Sequence, residues 1–182
     1  MLSAANPDRI DDFGLAYNTD GISWPRYRGS LLSALGKQPL EVFAPSGGAA
    51  MYRRDVFVAA GGFDERFFVY YEEVDLSLRA KKAGFRSYYL AEAFAHHTGG
   101  TSTSQAGPRR LFYYLQSRLK YAKKNFEPLS YLLLLQFTLG VEFVLRSLRA
   151  LGRKGEDQRS TLTAFGMLWA WLMKEETGTR DL

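Results

Sequence analysis

Cysteine is absent from all 182 residues, and histidine occurs only as the adjacent pair His96 and His97. The first absence excludes a disulfide framework and a thiolate metal site; the second excludes a multi-histidine metal centre. The opening MLSAANPDRI lacks the basic n-region and apolar h-region of a secretory leader, so a cytoplasmic location is the default expectation. No Asp-x-Asp occurs anywhere in the chain. The apolar stretch Leu129–Leu145 is 17 residues long and contains Gln136 and Glu142. A spanning helix needs about 20 predominantly apolar residues, so this stretch is expected to fall short.

What is present suits a globular α/β chain. Hydrophobic residues make up 46% of the sequence, enough for one sizeable core and a small appendage. Residues 1–40 are rich in Gly, Pro and Asp (NPDRIDDFG, NTDG, SWPRYRG) and read as loop with short strands. Residues 41–107 alternate strand and helix patterns: a short strand at Glu41–Ala44, an apolar run at Ala49–Tyr52 and a short helix at Arg54–Ala60 stopped by Gly61-Gly62. Glu72–Ala83 reads as a helix with Val74 and Leu78 on one face, bases in its last turns and Gly84 at C′. A strand follows at Phe85–Leu90, then the loop HHTGGTSTSQAGP. The helix–Gly–strand order suggests an α/β layer.

From residue 108 onward the pattern is helical. Arg109–Asn125 carries Leu111, Leu115 and Leu119; Pro128 opens a second helix; Thr161–Lys174 presents Leu162, Phe165, Trp169 and Leu172 as a stripe. The net charge of +5 is concentrated: Arg109, Arg110, Arg118, Lys120, Lys123 and Lys124 lie in one stretch without an acid. Such a stretch serves equally as a solvated helix face or as a contact for nucleic acid, sugar phosphates or anionic lipid. Arg146, Arg149 and Arg153 share another face, as in helices packed with an Arg-rich outer side or lying on an anionic membrane.

Three segments could carry chemistry. In GGFDERFFVYYEEVDLSLR the acids Glu72, Glu73 and Asp75 begin a helix, where the macrodipole favours negative charge with or without a function. They follow Phe67, Phe68, Tyr70 and Tyr71, and carboxylates beside apolar surface gain the basicity a general base needs. In AEAFAHHTGGTS a histidine leaves a strand into a Gly-rich loop, as a ligand or phosphate contact would or as plain loop. In PSGGAAMYRR the small residues Gly47, Gly48 and Ala49 let backbone approach a substrate closely, or simply make a tight turn.

Taken in order, SGGAAMYRR, GGFDERFFVYYEEVDLSLR, AGFRSYYLAEAFAHHTGGTS and RRLFYYLQSRLKYAKKNF resemble the second half of family 2 glycosyltransferases, particularly the rhamnosyltransferase-like group of bacterial polysaccharide enzymes. DRIDDFGLAYNTDG resembles the segment that precedes the catalytic motif there, so the likeness covers roughly residues 1–126. The resemblance implies the acceptor-side half of a GT-A-type fold over residues 1–107, followed by a helical region over 108–182. It implies an inverting transfer from a nucleotide-sugar donor to a glycan or lipid-linked acceptor, with Mg²⁺ or Mn²⁺ neutralising the leaving diphosphate in the complete enzyme.

The family's Glu-Asp-hydrophobic-Asp pattern is filled by Glu72-Glu73-Val74-Asp75, so Glu73 takes the base position with one methylene more than usual. The motif histidine, which meets the metal or diphosphate, falls on His97, with Gly99, Gly100 and Ser102 in matching spacing. Arg118 matches a basic position and is expected to contact phosphate; Gln116-Ser117 stands where the family often has Arg-Asn. The family's nucleotide-binding half, with its Asp-x-Asp, has no counterpart here. The chain is therefore expected to be a fragment or one piece of a split enzyme, inactive without an N-terminal half or companion chain. The other classes weighed are a non-catalytic module peripheral to the inner face of the cell membrane and a nucleic-acid binder. No nucleic-acid motif supports the latter.

Overall fold

The computed structural model describes residues 1–17, 23–34, 38–98, 106–151 and 155–177. It forms two compact units, Met1–Thr101 and Ser102–Leu182. The expectations for Gly99, Gly100, Ser102 and Arg153 lie outside the described residues.

In the first unit, short strands pair locally. β1 (Leu2–Ser3) runs parallel to β6 (His96–His97), β2 (Leu15–Tyr17) antiparallel to β3 (Ser23–Pro25), and β4 (Leu40–Val42) antiparallel to β5 (Ser87–Tyr89). Mixed helix and strand agrees with an α/β class, although the described strands form two-stranded pairs rather than one broad layer. Ile10, Phe13 and Val42 are buried together with Tyr89 packed against them. Gly14, at φ +103°, turns the chain out of this cluster; a Cβ there would lie 3.0 Å from Val42 Cγ1.

α1 (Arg54–Ala59) stops at Gly61 and Gly62, both at positive φ. α2 (Glu72–Lys82) ends as expected, with Gly84 at φ 89° and the Phe85 amide donating to the Ala80 carbonyl. Its burial differs from a one-faced helix: Val74, Asp75, Leu76 and Ser77 are all buried, while Leu78 is half-buried. Four consecutive buried residues span most of a turn, so the start of α2 is enclosed nearly all round.

In the second unit, α3 (Pro108–Asn125) places Leu115 and Leu119 in a core with Phe112, Leu134, Phe165 and Leu168. The final helix, α6 (Gly155–Thr177), buries Ala164, Phe165 and Leu168. Of its expected stripe, Phe165 is buried and Leu172 packs against the core, whereas Leu162 and Trp169 are 47% and 50% exposed, because the packed face is shifted toward Ala164 and Leu168. Between them α4 (Pro128–Phe137), a π-helical stretch (Thr138–Glu142) and α5 (Phe143–Leu151) make one continuous helix. That helix runs for 24 residues and is long and apolar enough by composition to cross a membrane. The shorter sequence estimate stopped at Leu145, whereas the backbone carries helix through Glu142 and on to Leu151.

Candidate functional site

The approach to α2 is conformationally unusual. Tyr70 and Tyr71 both adopt left-handed backbone, at φ 67° and 68°. Consecutive left-handed non-glycine residues are costly and persist only where surroundings hold them; Tyr71 is 2% exposed. This bend aims the first turn of α2, with its two glutamates, toward the Ser46–Gly48 turn. A Cβ on Gly47 would lie 3.6 Å from Glu73 Oε1 and 3.9 Å from Glu72 Oε1. Gly47 thus allows backbone to approach both carboxyl groups, and it hydrogen-bonds to Glu73.

These carboxyl groups are poorly solvated. Burial pushes the Glu73 carboxyl up to about 7, helped by the charges of Glu72 and Asp12 and opposed by backbone hydrogen bonds. Burial also raises Glu72, which a hydrogen bond with Glu73 partly offsets. Two half-buried acids this close titrate as a pair. Tyr52 joins them: burial, then Glu73 and Glu72, push its phenol up to about 12. Glu72 Oε2, Glu73 Oε2 and Tyr52 Oη are buried without a hydrogen-bond partner among the described residues. Such orphan groups in one place are what a site lacking its polar ligand presents.

Ser46, next to Gly47 in the same turn, lines a pocket of about 400 Å³ with Asp12, Ala49, Tyr88, Tyr89 and Phe94 among others. Apolar ring surface with a few polar groups suits a sugar-sized ligand. Asp12 is 6% exposed and accepts a hydrogen bond from the Gly14 amide at 2.7 Å.

The remaining expected site residues stand elsewhere. Asp75 is fully buried and accepts from Arg79 Nε at 2.8 Å; Arg79 also donates to the carbonyls of Ala60 and, at 2.7 Å, Gly62. That arrangement ties α2 to the glycine turn. His97 sits on β6 with Nδ1 2.7 Å from Asp11 Oδ2, and Asp11 lies 3.4 Å from Arg28. A carboxylate at Nδ1 favours the tautomer that leaves Nε2 available as an acceptor or ligand. No group of three or more potential metal-ligating side chains converges among the described residues. Arg118 is in the second unit, 2% exposed, donating to Thr138 Oγ1 at 2.8 Å and ion-paired with Glu142. Its guanidinium is buried inside that unit. Tyr52, Asp11 and Asp12 were not singled out from sequence; the carboxylate pair DD beside a glycine was the available signal for the last two.

Among curated proteins, the chain is similar to N-acetylglucosaminyl-diphospho-decaprenol L-rhamnosyltransferase of Mycobacterium tuberculosis, 45% identical over 60 residues, which is 33% of this chain and 20% of the relative. It is also similar to rhamnosyltransferase WbbL of Escherichia coli, 34% identical over 92 residues, 47% of this chain and 35% of the relative. The matches thus span a fifth to about a third of the length of these relatives. No family model matches the chain, and no solved structure matches it. Over just under half of its length at most, the chain is similar in sequence to rhamnosyltransferases.

Proposed function

We propose that the chain is the acceptor-side and catalytic-base part of an inverting glycosyltransferase of the GT-A type, acting in cell-wall or surface polysaccharide synthesis. The observation that carries this reading is the Glu72–Glu73 pair, enclosed at the start of α2 beside the Gly47 turn, with its proton affinity raised by burial. A carboxylate whose proton affinity lies near neutrality is matched to removing a proton from a sugar hydroxyl as that oxygen attacks. In this mechanism Glu73 accepts the acceptor hydroxyl's proton and the freed oxygen bonds to the anomeric carbon. The bond to the nucleoside diphosphate breaks on the opposite side. The ring-lined pocket seats the acceptor sugar. By similarity the transferred group is rhamnosyl and the acceptor a lipid-linked sugar diphosphate.

His97, backed by Asp11, fits a single ligand position of a divalent site, and the described residues supply no complete ligand set. When bound, Mg²⁺ or Mn²⁺ would neutralise the departing diphosphate. The remaining ligands and the nucleotide contacts would come from a nucleotide-binding half, in the same polypeptide or a companion chain.

The test is Glu73→Gln in the enzyme together with its nucleotide-binding half, assayed for transfer from a rhamnosyl nucleotide to a lipid-linked acceptor. The amide keeps the shape but cannot take the proton, so kcat should fall about 10²–10⁴-fold with donor affinity nearly unchanged. Full turnover in this variant, with Glu72→Gln inactive, would move the base to Glu72.

A further inference from the structure

The second unit holds a pocket of about 270 Å³ between the start of α3, the end of α5 and the second turn of α6, lined by Gly107, Leu111, Arg146, Arg149, Ser160 and Thr161. Among the described residues, its lining pairs two guanidinium groups with two hydroxyls and contains no acid. The acid beside it, Glu142, accepts from Arg146 Nε at 2.9 Å and pairs with Arg118. Arg149 is exposed and has no hydrogen-bond or ion-pair partner among the described residues. Guanidinium groups converging on hydroxyls in a polar cavity are the donor set of a phosphate site.

A second observation says what carries the phosphate. Along the same helix, Leu129, Leu133, Phe137, Val141, Leu145 and Leu148 are 42–69% exposed and recur at helical spacing. They form an uncovered apolar stripe running to the turn that bears Arg146 and Arg149. Arg146 follows Leu145 by about 100° of helix rotation, so the bases flank the stripe rather than oppose it. Although this helix is long enough to span, α3 packs against it in the same core and carries six bases, which a bilayer interior would not accept. The arrangement suits a helix lying in the interface, apolar stripe down, with arginines at headgroup depth.

We propose that the Arg146–Arg149 pocket binds the phosphate of an anionic lipid headgroup while the α4–α5 stripe enters the acyl layer. This site is independent of the transfer reaction. The whole chain should float with phosphatidylcholine vesicles containing phosphatidylglycerol and much less with phosphatidylcholine alone. Each basic residue at such a surface is worth roughly fivefold in partitioning, and a residue coordinating the phosphate should exceed that. Arg149→Ala, which breaks no pair among the described residues, should therefore weaken binding by more than about fivefold. Lys124→Ala, the same charge loss at the far end of α3, should stay within it. Leu145→Gln should weaken binding to both vesicle types. Equal loss for Arg149→Ala and Lys124→Ala would show diffuse charge attraction and overturn the pocket. Equal flotation with neutral vesicles would overturn the phosphate requirement. Calorimetric binding of inorganic phosphate lost in Arg149→Ala, without flotation, would overturn the lipid as its source.

Discussion

The proton affinity of Glu73 should be visible in the stability of the first unit, without any substrate. Its carboxyl rises from 4.5 to about 7 on folding, chiefly through burial and then through Glu72. A raised folded value means the native state binds more protons than the unfolded chain between those limits. Stability from this group is therefore complete below about pH 4.5, declines as pH rises and is lost above about pH 7, the reverse of an ordinary salt-bridged acid. At 1.36 kcal/mol per unit the whole change is about 3 kcal/mol, shared with Glu72 because the pair titrates together. Glu73→Gln removes the ionisation. Urea unfolding followed on the amide signals of Val74 and Leu76, buried in α2, reports the first unit separately from the second. The stability of wild type relative to the variant should drop by about 3 kcal/mol between about pH 4 and about pH 8. Groups that do not interact with Glu73 cancel in the difference, and Glu72 contributes with it as one pair. A difference that is flat with pH, or that grows in favour of wild type, would refute a buried Glu73 of raised proton affinity.

Two further outcomes test the supports of the site. Arg79→Ala leaves Asp75 charged and fully buried, which should cost about 3–5 kcal/mol of stability by urea unfolding; a loss below about 1 kcal/mol would mean the glycine turn does not depend on this pair. Asp11→Asn should shift the His97 imidazole away from the Nδ1-protonated tautomer, read by ¹⁵N NMR of the ring; an unchanged tautomer would show that Asp11 does not orient it.

Much of this was legible in the order of residues. Local signals placed α1, α2 and α3 to within a residue or two, because Gly61-Gly62, Gly84 and Pro108 act through backbone conformation that neighbours scarcely alter. The motif EEVD likewise placed acids at a helix start, and its resemblance singled out Glu73. Tertiary packing decided which acid has its proton affinity raised and which is ion-paired. Asp75 and Glu73 are two residues apart on one helix, yet Arg79 neutralises the first while the Gly47 turn, Tyr52 and Asp12 surround the second. The same holds for Arg118, for which the family resemblance suggested a phosphate and which the fold pairs with Glu142, 24 residues away. Charge pairing and burial depend on chain segments distant in sequence, so periodicity can nominate such groups but only the packed structure fixes what each one faces.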